Sequence, residues 1–580
     1  MSSFNTLSFN NVNTLWASVL AETLARLGLT TAIVCPGSRS APLTVALAQH
    51  PQIEAIPILD ERSAAFFALG VARCTGKPTA LICTSGTAGA NFYPAVIEAR
   101  ESKIPLLILT ADRPPELRDC NAGQTIDQQK LYGTFPNWYS ELSLPALDVH
   151  LLAYLRQTLI YAHERTLYPV AGVVHLNIPF RDPLAPLPQP EAERFATHFP
   201  ADFFAAVTLP LPPLLLPPIP PIPSSPRGLI IAGIAQPSSP EAYCKAIAQL
   251  AQRLQVPVLA EALSPVRNYA NLNPHLVSTY DLMLRNADLA EKLAPDWVIR
   301  VGEMPTSKIL RQWLQQTQPR QWIVDPTDRN LDPLHGKTTQ IRGSVEQLAQ
   351  QLTEQMPFPT APDAYLQLWQ TLEAETRQKL DAALAQTPFP FEGSVAWLLS
   401  QHLPTGTPLF VANSMPVRDM EFFWQPNHRA IQPFVNRGAN GIDGTLSTAL
   451  GVAHHHQSSV LLTGDLALLH DTNGFLTSRK LRGHLTIVLI NNEGGGIFEA
   501  LPIAQFEPPF EEFFATPQAV DFSQLCRTYG VEYERIQSWE HLTQRLNPLP
   551  TEGIRLLEVS CHRKADAQTR QQLFAQAQFL

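Results

Sequence analysis

The sequence predicts an α/β protein: three consecutive α/β domains, each built on a parallel sheet. Short, mostly apolar runs alternate with helix-like patterns along the chain, as strands do when helices cover both faces of a parallel sheet. Two proline-containing stretches interrupt the alternation, one between Pro183 and Pro226 and one at 357–363. The length of 580 residues suits three domains at ~100–200 residues each.

Taken in order, Thr31–Cys35 reads as a short buried strand closed by the turn Pro36-Gly37-Ser38. Ile53–Leu59 reads as a second, with a helix over about Ser63–Arg73. Thr79–Cys83 is a third, before the turn Thr84-Ser85-Gly86-Thr87, and Ile104–Thr110 a fourth. This block closes at residue 183. Residues 184–226 are dense in proline, which donates no ladder hydrogen bond and favours extended chain, so they read as a linker along the surface, with a disordered tail-like loop an equal reading for the middle of the stretch. The second block, 227–356, offers Gly228–Ala232, Val256–Ala260, Trp297–Val301 and Gln321–Val324. The third, 364–580, offers Pro408–Ala412, Ile431–Val435, Val460–Thr463 and Leu485–Ile490.

Composition narrows the function classes. Net charge is −9 and no Lys/Arg-rich run occurs, so neither nucleic acid nor an anionic membrane is an expected partner. Charged residues make up only 16%, against about 25% in an average protein, which hints at surface covered by other subunits. The seven cysteines include no Cys-x-x-Cys pair, which disfavours disulfide frameworks and zinc sites and fits a reducing compartment. Met1–Asn13 is polar, without the apolar core of a signal peptide. Leu209–Pro223 is the most apolar stretch and is broken by proline every few residues, far short of a membrane span. A cytoplasmic protein is expected.

The strongest chemical signal is a pair of strings. Gly464-Asp465-Leu466 follows one strand of the third block, and Asn491-Asn492-Glu493-Gly494 follows the next, with one helix-sized segment between them. Adjacent parallel strands of such a β-α-β unit end side by side, where open α/β sheets bind ligands. Either string alone is ordinary turn chemistry; both together are a donor set. A carboxylate from Asp465, an amide oxygen from Asn492 and the Gly494 carbonyl are three hard oxygens, suited to octahedral Mg²⁺ with phosphate and water completing the shell. Gly464 and Gly494 let backbone approach a phosphate group.

This pattern resembles the diphosphate and metal motif of thiamine-diphosphate enzymes. The resemblance implies thiamine diphosphate with Mg²⁺ (or Mn²⁺), a pyrimidine-binding domain at 1–183, a central domain at 227–356 and a diphosphate-binding domain at 364–580. In that superfamily a glutamate at an early strand end promotes loss of the thiazolium C2 proton through the pyrimidine N1′. Here that place is held by Glu61, in Leu59-Asp60-Glu61-Arg62; taken alone, Glu61 would more often be a helix-start acid favoured by the dipole. The superfamily places active sites between subunits, so a homodimer or homotetramer is implied.

Within the superfamily the chain is similar to the 2-succinyl-5-enolpyruvyl-6-hydroxy-3-cyclohexene-1-carboxylate synthase family. The strings that carry this are Cys35-Pro36-Gly37-Ser38-Arg39-Ser40-Ala41-Pro42, Ala111-Asp112-Arg113-Pro114-Pro115-Glu116, Asn413-Ser414-Met415-Pro416-Val417-Arg418-Asp419, Asn436-Arg437-Gly438-Ala439-Asn440-Gly441-Ile442-Asp443 and Gly494-Gly495-Gly496-Ile497-Phe498. The middle block matches chiefly at Lys308. The resemblance implies decarboxylation of 2-oxoglutarate and addition of the remaining four-carbon unit to isochorismate, in menaquinone or phylloquinone biosynthesis. It assigns Ser38, Arg39, Arg113, Gln124, Lys308, Arg418 and Arg437 to substrate. To the cofactor it assigns Ser414, Ile442, Ile497 and Phe498, with Ile442 as the wedge that bends it. Gly123 departs from the pattern, which has an asparagine before the glutamine.

The arginines support this reading on chemical grounds. Arg39, Arg113, Arg418 and Arg437 each follow a strand, in stretches that read as loops, and two dicarboxylate substrates bring four carboxylates for planar guanidinium forks. An acetohydroxyacid synthase or a simple 2-oxo acid decarboxylase would need fewer. A catalytically silent regulatory homologue would have no use for Glu61, Asp465 and Asn492. Two other features mislead. Gly70–Pro78 looks like a phosphate loop but ends on proline where Ser or Thr must hold Mg²⁺. His454-His455-His456 cannot converge on one ion from a helix and reads as a partly exposed helix end.

Overall fold

The computed structural model describes residues 6–205, 207–208, 225–355, 363–455 and 458–577. Among them are three six-stranded sheets in which every ladder is parallel. The first holds β1 (Thr31–Val34), β2 (Glu54–Pro57), β3 (Thr79–Cys83), β4 (Leu106–Asp112), β5 (Trp138–Glu141) and β6 (Val173–Pro179), in the order β2-β1-β3-β4-β6-β5. The second holds β7 (Gly228–Ala232), β8 (Val258–Ala260), β9 (Leu276–Val277), β10 (Trp297–Val301), β11 (Arg320–Val324) and β12 (Lys337–Ile341), ordered β12-β11-β10-β7-β8-β9. The third holds β13 (Pro408–Val411), β14 (Gln432–Phe434), β15 (Ser458–Gly464), β16 (His484–Asn491), β17 (Glu532–Arg535) and β18 (Gly553–Ser560), ordered β14-β13-β15-β16-β18-β17. The outer two sheets share one strand order; the middle sheet has the doubly wound order in which strands build outward from two central neighbours.

Burial explains why the central strands read clearly. Every residue of β3, β4, β7 and β10 is buried, and such strands are mostly apolar, with single polar residues such as Arg300 in β10 and Asp112 at the end of β4. In the middle sheet Ile230, Ile299 and Val324 face one core while Leu229, Ile231 and Val298 face the other, the period-two alternation of a pleated strand. The edge strands β12 and β17 are half exposed and carry no apolar run. Buried β6 and β18 escape a hydrophobic reading because they carry His175 and Asn177, and Arg555 and Glu558.

The helix after β2 runs Glu61–Thr75, starts on an Asp60 cap whose side chain accepts from Arg62 N at 2.9 Å, and stops at Gly76 in a left-handed conformation (φ 66°). Gly70 lies inside this helix, so the apparent phosphate loop is not a loop. Its glycine serves a close crossing instead: a Cβ at Gly70 would stand 2.1 Å from the Thr448 carbonyl oxygen.

The chain separates into two compact units. One comprises the described residues of Met1–Pro213, Asn436–His456 and His470–Arg482; the other comprises those of Leu214–Val435, Gln457–Leu469 and Gly483–Leu580. The first unit holds the first sheet, and the second unit holds the other two. In the second unit Arg267 and Glu421, both fully buried, pair at 3.1 Å, and Tyr280 also hydrogen-bonds Glu421.

Residues 184–205 are not the bare extended linker their prolines predict. They include a helix at Pro190–Ala196, and Phe203 and Phe204 are buried in the core of the first sheet. Aromatic anchoring outweighs the polyproline tendency there. The Leu209–Pro223 stretch lies outside the described residues, as does His456 of the histidine run. His454 is a correction: it is 5% exposed, and its Nε2 lies 3.1 Å from Glu54 Oε1. No helix of the described residues is long and apolar enough to cross a membrane.

Candidate active site

At the carboxyl end of the third sheet, β15 and β16 pair with Gly464 opposite Ile490, so Asp465 and Asn492 leave neighbouring strands side by side. Asp465 is 4% exposed, and its Oδ2 accepts a hydrogen bond from Gly494 N at 2.8 Å. Burial pushes its carboxyl up to about 6 against the pull of backbone N–H donors. Asn492 is also buried. Its Nδ2 donates to Glu392 Oε2 at 2.8 Å, and its Oδ1 is buried with no hydrogen-bond partner. Gly494 has φ 134°, and a Cβ there would stand 2.2 Å from the Ala515 carbonyl oxygen. No other residue fits that position.

An orphaned buried amide oxygen beside a desolvated carboxylate fits a divalent cation, which would satisfy the one and neutralise the other. No cluster of three His, Cys, Asp or Glu among the described residues could hold a metal, so hard oxygens from mixed sources are the fitting donors.

Ser414 follows β13 in a conformation (φ 74°, ψ −125°) that side chains rarely adopt and caps the helix Met415–Phe423; strain of this kind is tolerated where function requires it. Arg418 lies inside this helix rather than in the loop expected, with its guanidinium on the Ser414 carbonyl. Ile497 and Phe498 lie half-buried in the short 3₁₀ helix Gly496–Ala500, with Phe498 packed edge-on to Phe514. Lys308 is exposed at the first turn of the helix Lys308–Thr317, where a cation opposes the helix dipole.

The first unit gathers a different set. Arg39 is 9% exposed, donates to the Phe180 carbonyl at 2.9 Å and lies 3.7 Å from Asp182. Arg113 leaves β4 and donates to Ser85 Oγ. Burial and the charge of neighbouring Arg39 both lower the Arg113 pKa. Gln124, in a left-handed conformation (φ 57°), donates to the Ser85 carbonyl at 2.9 Å and accepts Ser85 Oγ on its own carbonyl at 3.1 Å. Ser85 thus ties Arg113 to Gln124. Ser38 is exposed on the neighbouring turn. At Gly123 a Cβ would meet nothing within 4 Å, so space stands where the related pattern has asparagine.

Glu61 opens its helix half-buried, and Asn91 Nδ2 donates to its Oε2 at 3.1 Å. The loop that carries Arg437 is held by Glu98, 3% exposed, whose two oxygens accept Gly438 N at 3.0 Å and Ala439 N at 2.8 Å. Ile442 lines a cavity of about 370 Å³ with Asp60, Ser63, Phe66, Asp471 and Asn473. Sequence reading missed Ser85, Asn91, Glu98 and Glu392 as parts of the site. Only Ser85, in a turn after a strand, had a local signal; the others act on residues 30 to 341 positions away.

Comparison with known proteins gives the family. Residues 16–131 match the thiamine pyrophosphate enzyme N-terminal TPP binding domain, 224–411 the middle domain of thiamine pyrophosphate enzymes, and 420–559 the C-terminal TPP binding domain. The fold is similar to benzoylformate decarboxylase from Polynucleobacter necessarius, with a TM-score of 0.66 and 16% identity over 94% of this chain and 98% of that one. The 2-succinyl-5-enolpyruvyl-6-hydroxy-3-cyclohexene-1-carboxylate synthase of Nostoc sp. is 62% identical, covering 97% of each chain. That of Gloeothece citriformis is 61% identical over 97% of this chain and 98% of its own. Matched along nearly its whole length, the chain belongs to the 2-succinyl-5-enolpyruvyl-6-hydroxy-3-cyclohexene-1-carboxylate synthase family of thiamine-pyrophosphate-dependent enzymes.

Proposed function

We propose that the enzyme decarboxylates 2-oxoglutarate and joins the remaining four-carbon unit to isochorismate, a step toward menaquinone or phylloquinone. The observation that carries the substrate class is the pair of guanidiniums at strand ends of the first sheet, Arg39 held on the Phe180 carbonyl and Arg113 on Ser85 Oγ, with burial and then the charge of Arg39 both lowering the Arg113 pKa. Such a pair favours an anion between its members, and the fork geometry suits a carboxylate. When bound, thiamine diphosphate supplies the carbon nucleophile and the electron sink. Glu61 would hold a proton at the pyrimidine nitrogen; Asn91 Nδ2 donates to one of its oxygens, and the other would be the one to meet the cofactor. Asp465, Asn492 Oδ1 and the Gly494 carbonyl would hold Mg²⁺ (or Mn²⁺), and Gly464, without a side chain, would leave room for the diphosphate.

Ser38, Arg39, Arg113, Gln124, Lys308, Arg418 and Arg437 bind substrate carboxylates and hydroxyls in this reading. Ser414, Ile442, Ile497 and Phe498 shape the cofactor pocket. The domain division 1–183, 227–356 and 364–580 is supported by one parallel sheet lying inside each range. The working unit is a homodimer, or a homotetramer of such dimers, with sites shared between subunits as in the superfamily. A cytoplasmic location is supported by seven cysteines that are all free thiols.

The test is to incubate the protein with thiamine diphosphate, Mg²⁺, 2-oxoglutarate and isochorismate and follow the loss of isochorismate. Consumption that needs all four is expected. Equal use of pyruvate in place of 2-oxoglutarate would overturn the substrate assignment.

A further inference from the structure

Beyond the three cation donors, the second unit contains a buried relay that ends on one of them. Glu392 opens the helix Glu392–His402 and is 1% exposed. Its Oε2 accepts Asn492 Nδ2 at 2.8 Å, and its Oε1 accepts Arg570 Nη2 at 2.6 Å. Arg570 comes from the C-terminal helix Arg563–Ala577 and reaches on to Asp419, with Nε 3.0 Å from Oδ1 and Nη2 3.1 Å from Oδ2. Asp419 is fully buried in the helix that begins after Ser414 and carries Arg418.

A primary amide has two chemically opposite ends of nearly the same shape. Only the oxygen can ligate a cation; the NH₂ end repels it. Nothing about the backbone of Asn492 decides which end faces the site. Glu392 does decide it: with Arg570 donating to one of its oxygens, its other oxygen accepts the Asn492 Nδ2 hydrogen bond and so takes the NH₂ end. The oxygen is then left facing away from Glu392, and it is the buried Asn492 atom without a partner. Arg570 in turn supplies the charge that a buried carboxylate needs to stay in place.

We infer that Glu392 is a positioning residue which locks the Asn492 amide with its oxygen toward the cation, and that Arg570 holds Glu392 for this task. The inference rests on the reading of Asp465, Asn492 and Gly494 as cation donors. Outer partners of metal ligands typically contribute 10–100-fold in metal affinity. The C-terminal helix, which supplies no ligand, is by this argument part of the cation site.

The experiment measures Mn²⁺ affinity of the full-length protein with thiamine diphosphate, from the free Mn²⁺ signal in electron paramagnetic resonance. Glu392→Ala and Arg570→Met should raise the Kd by ~10–100-fold. Glu392→Gln, whose amide can pair with either end of Asn492, should raise it by less, and Arg570→Lys should recover part of the Arg570→Met loss. Asn492→Asp separates positioning from packing. Its side chain presents oxygen at both ends, so adding Glu392→Gln in that background should carry no further penalty, or a gain, whereas a packing role would persist. If Glu392→Ala does not fold, Glu392→Gln alone and with Asn492→Asp decides the matter. Affinity within twofold of the parent in Glu392→Gln and Arg570→Met, or an equal penalty in the Asn492→Asp background, overturns the inference. Asp465→Ala keeps the two readings apart: if it too leaves Mn²⁺ affinity unchanged, the donor assignment itself falls, and if it alone lowers affinity, only the relay does.

Discussion

The first and third sheets have the same strand order and opposite chemistry at equivalent strand ends. Counted along each sheet, the third strand leads to Ser85 in one and Asp465 in the other. The fourth leads to Arg113 in one and Asn492 in the other. Each pair is bridged locally, Arg113 to Ser85 and the Gly494 backbone to Asp465. One crossover geometry therefore presents donors and positive charge in the first sheet, and hard acceptors in the third. Topology supplies the place, and a few loop residues supply the function. The middle sheet, wound in another order, offers Lys308 alone of the expected residues.

This contrast can be broken most sharply at Asp465. Asp465→Ala removes the charged member of the donor set, and cation-dependent retention of thiamine diphosphate should fall below detection by calorimetry. Ser85→Ala at the corresponding end of the first sheet should leave cofactor affinity within twofold and raise the KM for 2-oxoglutarate. Equal effects on cofactor binding would dissolve the distinction between the two ends.

Glu61→Gln comes next. It keeps size and polarity but cannot hold an exchangeable acidic proton, so deuterium exchange at the cofactor C2 should slow by ~10²–10⁴-fold, with cofactor affinity nearly unchanged. Quenched-flow NMR gives the exchange rate. Asn91→Leu, which removes the donor to Glu61 Oε2, should produce a smaller slowing, roughly fivefold for about 1 kcal/mol of hydrogen bond.

Substrate choice probes the positive end. Pyruvate lacks the distal carboxylate and leaves a guanidinium without its partner; the expected loss in kcat/KM is at least about 2 kcal/mol, roughly 30-fold. Arg113→Met should narrow that ratio, and an unchanged ratio would move the carboxylate site elsewhere.

The smallest effect is a control on buried acids. Asp471 lies six residues after Asp465, and burial likewise pushes it up to about 6. Its oxygens are occupied, however, by Ser447 N at 2.6 Å and Ser447 Oγ at 2.9 Å. Because its folded pKa is above the ordinary 3.8, the folded protein binds the extra proton between those values, and stability falls as pH rises from about 4 to 6. Asp471→Asn should remove that dependence, raise Tm by a degree or two at pH 8, and leave Mn²⁺ affinity untouched. A loss of affinity would place Asp471 with Asp465.

Reading of the chain succeeded where a feature is local. The central strands β3, β7 and β10 were legible to the residue because burial on both faces demands a mostly apolar run, which in β10 a single Arg300 does not interrupt for long. Strands β6 and β18 were hidden by polar residues that the interior satisfies with partners, such as Thr110 for His175 at 2.8 Å. The phenylalanines that anchor residues 184–205 were masked by the prolines around them.

By itself the sequence determined the α/β class, the strand-end positions of Glu61, Arg113, Asp465 and Asn492, and the family, because each is written in residues close along the chain. The tertiary structure alone decided the partners: Asn91 on Glu61, Ser85 between Arg113 and Gln124, Glu98 under the Arg437 loop, Glu392 and Arg570 behind Asn492. These pairs lie 28 to 341 residues apart. A hydrogen bond acts over about 3 Å of space, and separation along the chain carries no trace of it until the sheets have stacked their strands in order.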